Sequence, residues 1–409
     1  MSQKSEYQVA GVDDLLQHLE DPYPFFASLR EQKELVYSPQ VDAWLVTRYN
    51  DVLALLTQPD VFSSVDLIGP VVTWSPAALA ILQQGYPITQ VSINSDGINH
   101  ERFRAPHTRG FSAARMKVRE PFVQELANRL VDAFIDDGHA ELVSQFAYPF
   151  SLETILNLFG VPRAHIEEVK EWGKALTDFI FGGLESEESQ IACASGLVAF
   201  QKYCARLIEE RRASPQDTEL DALIRHQVDG ALPLSEAELI SAIMGFLTAG
   251  HRSTVDACIS GFVLLLQKPS LWQTICARPE LIPAAVEEIL RYESATQTLS
   301  RVTTQEVELG GTRLPKGARL LALIGAANRD EEHFSDAHVF DIERTPNRHI
   351  AFGHGIHFCV GAPAARMELR IALEIFARRL PGLRLVQNQQ LVHNHLLIFR
   401  GYQKLEVEW

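Results

Sequence analysis

The chain has 409 residues, 46% of them hydrophobic, enough to bury a large core. Its formal net charge of −15 excludes nucleic acid as a general partner. Five cysteines, at 193, 204, 258, 276 and 359, show no paired spacing, which excludes a disulfide scaffold and suits a reducing cytoplasm with at most one working thiol.

In chain order, the opening MSQKSEYQVAGVDDLL lacks a basic segment followed by an apolar run, so neither a secretory signal nor a membrane anchor is expected. No Pro/Gly/Ser-rich linker and no repeat divides the sequence, which predicts one large domain over 1–409. Residues 100–120, HERFRAPHTRGFSAARMKVRE, run against the overall charge, with six cations at 102, 104, 109, 115, 117 and 119. That stretch reads either as a solvated helix face or as a docking patch for an acidic protein. Amphipathic periodicity predicts helices over LANRLVDAFIDD (126–137), GLVAFQKYCARLIEERR (196–212) and IPAAVEEILRYE (282–293). A longer, mostly apolar helix opens on a capping box, Ser235 with Glu238, and runs to about Gln267. His251, Arg252 and Asp256 interrupt it, which argues against a membrane span. VELGGTRLP (307–315) alternates around a Gly-Gly pair and predicts a hairpin, while LRLVQNQQ and LLIFRGYQKLEVEW predict strands at the C-terminus. The expected fold class is therefore mainly α with minor β.

The chemistry concentrates in AFGHGIHFCVG, 351–361. Gly353, Gly355 and Gly361 let the main chain turn tightly around Cys359 and aim N–H groups at its sulfur, which stabilises a thiolate. Such a thiolate serves as a nucleophile, a metal ligand or an oxidation sensor. A zinc site would need more than His354 and His357 nearby, and a second cysteine is lacking. On a separate helix, Glu288 and Arg291 are spaced i, i+3 and share a face, which suits an ion pair.

Taken together, these residues resemble the cytochrome P450 family. Phe352, Gly355, Cys359 and Gly361 match its Phe-x-x-Gly-x-x-x-Cys-x-Gly cysteine loop, and Glu288, Arg291 and Arg344 match its Glu-x-x-Arg and third-arginine triad. The resemblance covers most of the chain in family order and implies a helix-rich P450 fold of the soluble bacterial type. It implies haem b held through Cys359 as the metal ligand. His100 and Arg104, on the family's His-x-x-x-Arg pattern, then pair with the haem carboxylates together with Arg301 and His357, and Phe352 shields the thiolate. By position, residues 62–95 and SATQTL (294–299) face substrate, which makes Ile93, Ala295, Thr296 and Leu299 candidate lining residues; DFIFGGLE (178–185) is a candidate mobile lid.

The long helix departs from the family. LTAGHRST (247–254) offers Ala249 and Gly250 as small residues beside the haem, but where the pattern continues with an acid and a threonine this chain has Arg252 and Ser253, followed by Thr254. Ser253 still donates a hydrogen bond, whereas Arg252 cannot relay protons as a carboxylate does. Arg252 either pairs with a carboxylate of a neighbouring element or binds an anionic substrate group. The resemblance implies a monooxygenase that takes electrons from a ferredoxin-type acidic partner and inserts one oxygen atom from O2 into a small organic substrate. The missing acid leaves two alternatives, a peroxide-driven oxygenase and a haem-thiolate binding or accessory protein.

Overall fold

The computed structural model describes residues 15–65, 73–182, 184–229 and 233–409. Part of the 62–95 segment (66–72) and Gly183 of the expected lid lie outside them, as does the side chain of Arg109. Among the described residues no helix is long and apolar enough to cross a membrane. The chain packs as two compact units, one drawn from Met1–Ser64, Gln124–Ala147 and Ser253–Trp409, the other from Val65–Val123 and Tyr148–Arg252.

The first unit holds all the described β-structure. Its five-stranded sheet runs in the order Val36–Ser38, Ala43–Val46, Arg319–Leu323, Thr298–Thr303, Phe62–Ser63. Every residue of Ala43–Val46 is buried, and it pairs in parallel with Arg319–Leu323 through Trp44↔Leu320 and Val46↔Ala322. Such a strand is covered on both faces and therefore reads as an unbroken apolar run. Val46, Leu55, Phe62, Ala322 and Ile350 sit in the core beside it. The expected hairpin forms from Val307–Leu309 and Thr312–Leu314, with Gly310 at φ 53 and Gly311 at φ 74 supplying the left-handed turn that other residues resist. The C-terminal strands are shorter than the sequence predicts. Arg384–Leu385 and Glu406–Glu408 join His139–Glu141 in a three-stranded sheet, but between them only the bridges Thr296↔Phe399 and His393↔Tyr402 form.

The second unit is helical. The Glu187–Ala213 helix contains the expected 196–212 stretch and is capped by Ser186 and Ser189 reciprocally. Two of its amides hold the incoming chain: Gln190 Oε1 accepts from Ser75 N at 2.7 Å, and Gln201 both accepts from Tyr86 N at 2.9 Å and donates to Tyr86 O at 2.8 Å. The long helix runs unbroken over Glu236–Leu266, and its capping box is present, with Ser235 N donating to Glu238 Oε2 at 2.7 Å and Glu238 N to Ser235 Oγ at 3.3 Å. The boundary between the two units falls within this helix, after Arg252. Sequence and structure differ at 126–137. The helix there starts at Ala113, carries Pro121 inside it, and stops at Asp132 before a separate 3-10 turn, Ile135–Asp137, closed by Gly138 at φ 74.

Candidate active site

Glu288 and Arg291 lie one turn apart on Ile282–Tyr292, and both are fully buried. Arg291 Nε and Nη2 each donate to the Glu288 carboxylate at 2.7 Å, a bidentate pair of the strong, charge-assisted kind. Arg344 Nε stands 3.2 Å from the same carboxylate, and Asn347 Nδ2 and the Asp341 N–H complete its shell at 3.1 and 2.9 Å. The three side chains thus meet in one buried, hydrogen-bonded cluster. Arg291 also donates to the carbonyls of Asn328, Ala337 and Val339, at 2.9, 2.9 and 3.1 Å. Asn328 passes that order onward, accepting at Oδ1 from Ile350 N at 2.8 Å, two residues before Phe352.

From Ile350 the chain enters the cysteine loop. Cys359 N donates to Phe352 O at 2.9 Å, Gly353 N to Ile350 O at 2.9 Å, and Phe358 N to Gly355 O at 3.1 Å, so the main chain closes on itself around the thiol. Gly355 has φ 71, and a Cβ there would stand 2.4 Å from the Leu56 carbonyl oxygen, so no other residue fits. Beside Gly361, the nearest atom to an added Cβ is Cys359 Sγ at 3.8 Å, which keeps the approach to the sulfur open. Cys359 sits three residues before Ala362, the first residue of the Ala362–Arg379 helix, whose positive end favours negative charge on the sulfur.

Of the five cysteines Cys359 alone is exposed. Burial pushes the Cys193 thiol up to about 11 and raises Cys204, Cys258 and Cys276 as well, so none of those four competes as a thiolate. Among the described residues no group of three or more His, Cys, Asp or Glu is placed to hold a metal ion.

Three residues that sequence reasoning missed support this loop. Glu287, next to Glu288, accepts from Arg366 Nε and Nη2 at 2.7 and 2.8 Å and from His349 Nε2 at 3.0 Å. Burial works against its charge, but the Arg366 and His349 contacts prevail and hold the carboxyl down at about 2. Arg366 in turn lies over the Phe352 ring, 4.7 Å from its centroid. The ring thus lies against a cation that Glu287 anchors, while the Cys359 N–H bond fixes its backbone.

Several other expected residues fall in the same unit. Leu299 borders Gly353, with Cδ1 3.7 Å from where a Cβ would stand. Ala295 is buried and accepts from Arg400 N at 2.9 Å, and Thr296 bridges Phe399. Arg301 is buried on its strand and donates to Ser300 O at 2.7 Å, and His357 Nε2 lies 2.9 Å from Ser64 Oγ. Ser253 is half-buried and Thr254 buried. An exposed thiol as lone soft ligand, a glycine-bordered approach to it, and apolar Ile356 and Phe358 left exposed beside it fit an iron porphyrin.

The helical unit holds the rest. His100 is buried and Arg104 half-buried on Gly97–Gly110, while Ile93 is 55% exposed in the Ser92–Asn94 turn. Gly250 has a reason the sequence did not reveal: a Cβ there would sit 2.7 Å from Ile155 Cδ1, so its absence lets the long helix press against Tyr148–Phe159. Ala249 is exposed. His251 packs edge-on to Tyr148 at 5.5 Å, and its Nδ1 lies 3.0 Å from Leu247 O. Burial, aided by the neighbouring Arg252 charge and only partly opposed by that carbonyl, pushes it down to about 4, so it is neutral at physiological pH. Arg252 is half-buried and within electrostatic reach of Tyr148 as well as His251.

The cations of 100–120 are less free than the sequence suggests. Arg102 is bound by Glu238, with Nη1 at 2.9 Å from Oε2, and Arg115 by Asp217 at 2.8 and 2.9 Å.

Known proteins agree with this geometry. The family pattern described as Cytochrome P450 matches residues 276–380, a span that includes the triad helix and the cysteine loop. The chain is similar to a mycinamicin IV hydroxylase/epoxidase of Micromonospora griseorubida, 36% identical over 375 residues, covering 90% of each chain. It is also similar to the P450 heme domain of Tepidiphilus thermophilus, 33% identical with a TM-score of 0.91, covering 98% of this chain and 97% of that one. A cytochrome P450 solved in complex with (4-ethylphenyl) dihydrogen phosphate is 31% identical with a TM-score of 0.89, covering 98% of this chain and all 100% of that one. Motif, local geometry and near full-length likeness converge, and the chain belongs to the cytochrome P450 family of haem b monooxygenases.

Proposed function

We propose that the protein works as one P450 domain over 1–409, in the cytoplasm, hydroxylating or epoxidising a small organic substrate with electrons from an acidic ferredoxin-type partner. The observation that carries this reading is the exposed Cys359 thiol in a loop fixed by the buried Glu288–Arg291–Arg344 cluster. A relative that is a mycinamicin IV hydroxylase/epoxidase supports the reaction type.

In this reading Cys359 is the sole protein ligand of iron, Phe352 and Gly361 shape the ground beside its sulfur, and His100, Arg104, Arg301 and His357 neutralise the two haem carboxylates. Bound haem supplies dioxygen reduction, with one oxygen atom going to substrate and the other to water. Ala249 and Gly250 keep the long helix slim. Ser253 Oγ holds a donatable proton in the position of the family's threonine, with Thr254 beside it. Arg252 contributes charge, not relay. Its closeness to Tyr148 supports a structural orientation within the helical unit. Ile93, Ala295, Thr296 and Leu299 are the proposed substrate contacts.

A second reading, a peroxide-driven oxygenase, is favoured by one observation: Arg252 stands where the family carries the acid that delivers protons to dioxygen chemistry. An already reduced and protonated oxidant would bypass that need. Turnover of a substrate found by spectral screening separates the readings. We expect product with NAD(P)H, reductase and a surrogate ferredoxin to exceed product with peroxide alone. Product with peroxide only would establish the second reading, and product with neither would make the protein a haem-thiolate binding module.

A further inference from the structure

The basic stretch meets an acid from a distant segment. On Ala113–Asp132, Arg115 and Arg119 lie one turn apart on one face, with Val118, 71% exposed, at its edge. The turn between Glu187–Ala213 and Glu219–Asp229 brings up Asp217, whose side chain is 75% exposed. Its carboxylate accepts Arg115 Nη1 and Nη2 at 2.8 and 2.9 Å, and its carbonyl accepts Arg119 Nη2. Arg225, exposed on the following helix, is in electrostatic reach of the same carboxylate. Three guanidinium groups thus converge on one surface acid of a chain whose net charge is −15. The neighbouring Glu219 neutralises them little, since burial, against the pull of the same three arginines, pushes its carboxyl up to about 7. An exposed pair of this kind contributes little, so an incoming carboxylate can replace it at small cost.

We propose that Arg115, Arg119 and Arg225 form the docking surface for an acidic protein, and that Asp217 masks it by occupying the place of the partner's carboxylate. The inference rests on the electron-donor reading above. Docking then exchanges one carboxylate for another on the same fork of Arg115, with Val118 supplying apolar contact beside it. The mask lowers affinity for any acidic surface and leaves tight docking to partners whose acids are placed to displace Asp217.

The test uses the haem-loaded enzyme and an acidic plant-type two-iron ferredoxin with its reductase. Asp217→Asn keeps the side-chain size at an exposed position, and it should lower the ferredoxin Kd by about two- to fivefold at low ionic strength, the fold-change that release of a surface ion pair corresponds to. The gain should shrink as salt rises, and peroxide-supported turnover should stay unchanged. Arg115→Glu should raise the same Kd. If Asp217→Asn binds ferredoxin no more tightly while Arg115→Glu still weakens it, the mask is rejected and the docking surface stands. If Arg115→Glu also leaves the Kd unchanged, docking at this surface is rejected as well.

Discussion

Cys359→Ser is expected to abolish turnover with either oxidant, NAD(P)H through ferredoxin or peroxide, whereas Cys276→Ser keeps full activity. A hydroxyl in place of the thiol removes the one soft, exposed ligand of the loop, and nothing nearby replaces it, because His357 lies against Ser64 and the remaining cysteines are buried or half-buried. Cys276 is half-buried with its thiol raised by burial, so it has no part in the chemistry. The measurement is product per enzyme for the two variants and wild type at matched haem content. Retained turnover in Cys359→Ser would place the ligand elsewhere.

The second large effect belongs to Arg291. Arg291→Ala leaves the fully buried Glu288 carboxylate without its bidentate partner and strips donors from the carbonyls of Asn328, Ala337 and Val339. Breaking one side of a buried ion pair costs about 3–5 kcal/mol. The damage is also directional: Asn328 loses its clamp, and Asn328 holds Ile350 at the entry to the cysteine loop. Expression as haem-loaded protein should collapse, and any protein recovered should unfold at far lower urea and release haem faster than wild type. Arg344→Ala should do less, because Arg344 lies nearer solvent and reaches Glu288 only through Nε, at 3.2 Å. Equal urea midpoints for Arg291→Ala and wild type would show that the cluster is not what orders the loop.

What the sequence revealed was short in range. The cysteine loop and the Glu-x-x-Arg pair are local patterns whose residue types are fixed by geometry a few positions away, and their hydrogen bonds are local in the structure too. The Ser235 capping box and the Gly310–Gly311 hairpin were legible for the same reason. The hidden parts depend on segments far apart in sequence. Nothing about Glu287 distinguishes it from Glu288 until Arg366, 79 residues on, takes it as a partner. Gly250 looked like clearance on one face of the helix, and Ile155 shows a packing demand. The basic stretch read as six free cations because Glu238 and Asp217, which bind Arg102 and Arg115, lie 136 and 102 residues away. Pro121 obscured the start of its helix, since proline inside a helix usually signals an end. The C-terminal alternation overstated its strands, because its partners there are single bridges to Thr296 and within the segment itself.

The central claim, that Cys359 binds haem iron as a thiolate, is tested most directly by the absorption spectrum of the ferrous carbon monoxide complex of the unmodified protein. The account predicts the red-shifted Soret band of thiolate ligation, lost in Cys359→His. A histidine-type Soret band in the unmodified, freshly reduced protein would contradict it.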